Sequence, residues 1–155
     1  ADIMSNAPKL KNRRKLRKEL VQVVYSFMLF NEKVNHLRAF EEFDFLDREQ
    51  IEFLKYLENN QQFFQNLIIK FSDQNWPWDR IDPVVRAILL VACVEFFRIS
   101  QPKIVINEAI EMVKSFFIPE SLEVNKYAKF VNAVLQNIYK LLVIYESKEL
   151  TKQQK

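Results

Sequence analysis

Not one of the 155 residues is glycine. Tight β-hairpin turns and phosphate-cradling loops lean on glycine at positive φ, where any other residue meets a steric penalty. A chain without it is poorly suited to a β-rich fold or a P-loop nucleotide site. It is well suited to helices, whose interiors need no left-handed residue. Pro77, Pro83 and Pro102 punctuate long stretches of helix-compatible sequence. An all-α fold is expected, and 155 residues fit one compact domain with a substantial core.

Residues 9–30, KLKNRRKLRKELVQVVYSFMLF, hold no proline and read as one continuous helix, charged in its first half and apolar in its second. Leu16, Leu20, Val23, Val24 and Phe27 fall at helical spacing and form a core-facing stripe. At 100° per residue, Lys11, Arg14, Lys18 and Tyr25 share a second stripe, with Arg13, Lys15 and Arg17 on its flanks. A cationic ridge ending in an aromatic suits RNA, because cations neutralise phosphates and a ring stacks on an unpaired base. A solvated basic terminus that only confers solubility is an equally open reading from charge alone.

The charge is concentrated there. Residues 1–20 hold seven basic side chains against Asp2 and Glu19, net +5, while the other 135 residues net −2. That asymmetry favours an anionic partner at one end of the molecule, a polyanion before a membrane. A single cysteine, Cys93, excludes an intrachain disulfide and sits in an apolar helical run, where a buried inert thiol is expected. The lone histidine, His36, is expected to be exposed on a loop or helix; with no second histidine, a Glu-x-x-His metal site built on Glu108 and Glu111 is excluded, and no metal or cofactor is expected. Residues 1–20 lack the apolar core of a secretory signal, and no stretch approaches the ~20 apolar residues of a membrane span, so a cytoplasmic location is expected.

Further along, residues 31–43 suggest a short second helix, and Asp47 with Gln50 resembles a capping box opening a long helix to about Phe71, with a polar interval over 59–62. Trp76-Pro77-Trp78 marks a connection. Asp82 and Pro83 read as N-cap and first helical residue of a helix over 84–98, apolar nearly all round except Arg86 and Glu95. Such a helix belongs at the centre of the molecule, and Glu95 is expected to pair with a basic or amide group. Helices over 103–117 and roughly 122–147 follow.

These residues form a series. Arg80-Ile81, Arg86-Ala-Ile-Leu89 and Glu95 are followed by Val105-Ile-Asn-Glu-Ala-Ile-Glu111 with Lys114 and Phe116, then by Lys129-Phe-Val-Asn132. Together with the N-terminal RRKLRKELVQVVYS, the chain resembles the NusB antitermination factor family over nearly its whole length. The resemblance implies two small helical bundles packed together, over 9–72 and 79–148; by their polar composition residues 1–8 are expected to be a disordered arm or a non-native remnant and residues 149–155 a frayed tail. It implies a non-enzymatic factor that binds boxA-type RNA of ribosomal RNA leaders with NusE, ribosomal protein S10, and helps RNA polymerase, within an antitermination complex, read through terminators.

By that resemblance Arg13, Arg14, Lys15 and Arg17, with the neighbouring Lys18 of the ridge, are expected to grip RNA, and Tyr25, Lys126 and Phe130 to lie nearby. Asp79 and Arg86 are the matches for NusE. The sequence departs from the family at Val85 and Val94, where an acid and an aromatic are usual, and at Ala133, where glycine is usual. Lys126 in place of an acid would make the RNA face more positive. The competing expectation is a helical protein-interaction module. An enzyme is not expected, since neither a glycine-rich cofactor loop nor a Pro-Cys nucleophile pair occurs.

Overall fold

The computed structural model describes residues 11–72, 77–98 and 101–153, with side chains described to residue 148. The expected arm at 1–8, Lys9 and Trp76 lie outside the described residues. Among those described are six α-helices, one 3-10 turn and no strand: α1 Arg13–Leu29, α2 His36–Glu42, α3 Arg48–Phe71, the turn Trp78–Arg80, α4 Pro83–Arg98, α5 Pro102–Phe116 and α6 Leu122–Gln153. No helix among the described residues is long and apolar enough to cross a membrane.

Helix α4 is the axle. Every residue from Val85 to Phe96 is buried, and α1, α3, α5 and α6 all pack on it, α1 most extensively. Its two charged interior residues both serve α1. Glu95, near the C-terminus of α4, pairs with Arg17 near the N-terminus of α1, while Arg86 donates at the other end, to the Met28 carbonyl in the last turn of α1 (3.4 Å) and to Asn31 Oδ1 just past it (3.1 Å). The two helices therefore run antiparallel, with a polar clamp at each end of an apolar seam.

Without glycine, left-handed positions fall to other residues. Asn31 takes φ 53° just past α1. Its N–H donates to the Met28 carbonyl and the Glu32 N–H to that of Phe27, the paired bonds of a Schellman stop with asparagine in glycine's place. Glu120, at φ 61°, follows Pro119 in the turn before α6.

The expected capping box is present: Asp47 Oδ1 accepts the Gln50 N–H at 2.8 Å and Gln50 Oε1 accepts that of Asp47 at 2.9 Å. Asp47→Ala is expected to lower stability by about 1 kcal/mol, seen as a lower urea midpoint with unchanged m. Asp82 caps α4 as expected, its Oδ1 accepting the Val84 N–H at 2.8 Å.

Three expectations are corrected. The first helix begins at Arg13, capped by Asn12, and Lys11 lies before it. The Lys11 ammonium turns inward to Glu19 (2.6 Å), Gln50 Oε1 (2.8 Å) and the Phe45 carbonyl, so it is not part of a cationic ridge. Burial pushes the Glu19 carboxyl up, but its bonds to Lys11 and Gln50 outweigh that and hold it below its ordinary value. His36 is not exposed: it starts α2 with Nδ1 2.9 Å from Glu58, which also accepts its backbone N–H. Within the polar interval of α3, Gln61 alone is buried and accepts the Val34 N–H at 2.8 Å, while Asn59 and Gln62 are exposed.

Candidate nucleic-acid interface

Helix α1 opens against its own dipole. Arg13, Arg14 and Lys15 occupy its first turn, where no acidic residue stands and where the helix end already carries partial positive charge. Cations there are locally unfavourable, and they raise the potential that a nearby anion would feel. Arg13, Arg14, Lys15 and Lys18 are all exposed.

Helices α3, α4 and α5 answer this charge with carboxylates. Arg13 Nη1 lies 2.6 Å from Glu49 of α3, both side chains more than half exposed. Arg14 presents Nε and Nη2 to the two oxygens of Glu108 at 3.3 and 3.2 Å, a hydrogen bond and charge contact that holds its guanidinium pKa above the ordinary value. Arg17 is different: its side chain is 12% exposed, its Nε sits 2.6 Å from Glu95 Oε1, and Nη1 is 3.9 Å from Glu108. Burial pushes the Glu95 carboxyl up despite Arg17 beside it. Of the expected basic cluster, then, Arg13, Arg14, Lys15 and Lys18 face outward and Arg17 faces the core.

Arg14 and Lys18 line a shallow cleft of about 280 Å³ between α1 and α5, opposite Lys114 and Ser115. Those two α5 residues were missed by sequence reasoning; periodicity puts Lys114 on the polar face of its helix, but only packing brings that face to α1. Tyr25 is half-buried and packed on the core. Lys126 and Phe130 line a different cleft, about 130 Å³, with Arg80, Asp82 and Tyr127. The Tyr127 ring stacks on Phe117 at 4.9 Å, and Lys126 Nζ is 5.7 Å above the Tyr127 ring. Its phenol pKa is raised by burial and by Asp82 and Glu123.

Asp79 and Arg86 line a third cleft, about 370 Å³, with Trp78, Asn31 and the amides of α3. Asp79 is exposed; Arg86 is 3% exposed, lies 5.7 Å from the Trp78 ring, and has its pKa lowered by burial against the pull of Asp79 and Asp82. Cys93 is fully buried, and burial pushes its thiol far above the reactive range. Among the described residues no group of His, Cys, Asp and Glu is placed to hold a metal.

Comparison with known proteins identifies the family. A model of the NusB family matches residues 14–140. The transcription antitermination protein NusB of Colwellia psychrerythraea is 36% identical over 137 residues, 84% of this chain and 94% of that one. That of Fusobacterium nucleatum is 38% identical over 99 residues, 61% of each chain. The structure of T. maritima NusB superposes with a TM-score of 0.68 at 22% identity, covering 85% of this chain and 93% of the other, a likeness of fold.

Proposed function

Because this chain belongs to the NusB family of transcription antitermination proteins, we propose that it binds boxA-type RNA of ribosomal RNA leader transcripts together with NusE, ribosomal protein S10. It acts in the cytoplasm, without catalysis, to carry RNA polymerase through terminators. The observation that supports this most is the outward cationic face at the start of α1, built against the helix dipole. Arg13, Arg14, Lys15 and Lys18 take phosphates. Arg17 holds the helix that presents them, since its own guanidinium is bound to Glu95. Tyr25, Lys126 and Phe130 serve the RNA as well, Phe130 as a surface for an unpaired base beside the Lys126 charge. Asp79, exposed on the 3-10 turn, meets NusE, and Arg86 behind it fixes the turn through Trp78.

The test is binding of a boxA-type RNA oligonucleotide, with and without NusE, to the natural protein and to Phe130→Leu, which keeps apolar bulk and removes the ring. Loss of one stacked base is worth about 1–3 kcal/mol, so a weakening of roughly tenfold is expected, with NusE binding intact. Equal affinity for boxA-type and scrambled RNA, unmoved by Phe130→Leu, would instead make this a protein-interaction module.

A further inference from the structure

The carboxylates opposite α1 have no part in that reading, yet they sit where phosphate would. Glu49 lies 2.6 Å from Arg13, and Glu108 engages Arg14 through two contacts at 3.3 and 3.2 Å. A guanidinium fork that fits a carboxylate in this way fits a phosphate by the same geometry. Arg13 and Arg14 are adjacent at the open end of α1 and are held from two different helices, α3 and α5.

We infer that Glu49 and Glu108 are phosphate stand-ins: in the free protein they occupy Arg13 and Arg14, and arriving RNA displaces them. The inference rests on the RNA-binding reading of α1. Displacement is feasible at both positions for different reasons. The Glu49 side chain is 58% exposed, so its released carboxylate returns to water. The Glu108 side chain is 19% exposed and would be costly to strand, but Arg17 Nη1 already stands 3.9 Å from its second oxygen. Arg14, Glu108, Arg17 and Glu95 thus alternate in sign from surface to core. When phosphate takes Arg14, Glu108 keeps a cation beside it, and Arg17 stays anchored by Glu95 at 2.6 Å.

The consequence is a toll on every polyanion alike, because phosphate contacts carry no base information. A loose polyanion must displace two carboxylates for nothing else in return. An RNA that also fills the Phe130 cleft recovers the loss.

The experiment measures binding of a labelled boxA-type RNA and of an unrelated single-stranded RNA of equal length. The proteins are wild type, Glu49→Gln, Glu108→Gln and, as a net-charge control, Glu41→Gln on the exposed side of α2. Glu49→Gln and Glu108→Gln are each expected to tighten both RNAs about fivefold at low ionic strength, with the gain shrinking as salt rises. The gain should disappear when Arg13 or Arg14, respectively, is already alanine, since no guanidinium is left to release. Gains no larger than that of Glu41→Gln, or gains that survive removal of the arginine, overturn the inference. Arg13→Ala and Arg14→Ala separate its failure from that of the parent reading. If they leave RNA affinity unchanged, the RNA face itself is wrong and this inference falls with it; if they weaken binding while the glutamine variants gain nothing, this inference alone falls. Because Glu49 is exposed, Glu49→Gln keeps the test decisive even where Glu108→Gln perturbs folding.

Discussion

Arg17→Ala is expected to destabilise the fold by about 3–5 kcal/mol, the usual cost of leaving one member of a buried ion pair without its partner. The pair joins α1 to the central helix at 2.6 Å, with the Glu95 side chain only 7% exposed, so water has little access to the carboxylate once the cation is gone. The measurement is urea unfolding, read as a fall in midpoint at constant m. Its pH dependence has a definite sign. The Glu95 carboxyl is raised above its ordinary value of 4.5 by burial, so the folded state holds that proton more tightly than the unfolded chain does. The cost of burying Glu95 is therefore absent below 4.5, grows as pH rises, and is complete above the folded pKa. Removing Arg17 enlarges this cost, so the deficit of Arg17→Ala should shrink as the solution is acidified toward the carboxylate range. A double change to Arg17→Met with Glu95→Leu should recover most of the loss, since it removes both charges at once. A deficit below about 1 kcal/mol, the range of a surface pair, would show that the pair is not a clamp. The same reasoning governs RNA experiments: a loss of binding by Arg17→Ala reports on helix α1 coming loose, and folded fraction has to be measured first.

Arg14→Ala/Lys15→Ala/Lys18→Ala is expected to weaken RNA binding about a hundredfold near physiological salt while leaving the urea midpoint nearly unchanged. All three side chains are exposed, so their removal opens no cavity, and Glu108, which loses Arg14, keeps Arg17 at 3.9 Å. Each phosphate contact to a single strand contributes roughly −0.7 to the slope of log K against log salt, so three lost contacts flatten that slope by about 2. Affinity measured over a salt series separates this from misfolding, which would not yield a shallower line of the same form. An unchanged slope would mean that Arg14, Lys15 and Lys18 carry no phosphate, and with Arg13→Ala equally silent the interaction-module reading would then stand. Arg17 is left out of this variant because its guanidinium faces Glu95 and not solvent.

These two expectations differ although Arg14, Arg17 and Lys18 lie within five residues of one another, and the difference marks the boundary of what local sequence expresses. Helical periodicity is a local property, so the core stripe of α1, the capping box at Asp47 and Gln50, the cap at Asp82 and the centrality of α4 were all legible in the chain. So was the need of Glu95 for a partner, because a buried carboxylate without one is costly. A helical wheel shows the angle at which each side chain leaves the axis. It does not show which helix stands at that angle.

Absence of glycine, hydrophobic spacing, proline punctuation and charge asymmetry thus determined an all-helical domain with a cationic end, because each of these acts through neighbours along the chain or through the composition of the whole. Only the tertiary structure decided what each cation does. Arg17 meets Glu95 across 78 positions of sequence and Arg14 meets Glu108 across 94, while Lys11 leaves the ridge altogether to bind Glu19 and Gln50. The direction of a long charged side chain follows the nearest countercharge, and that distance is set when helices pack.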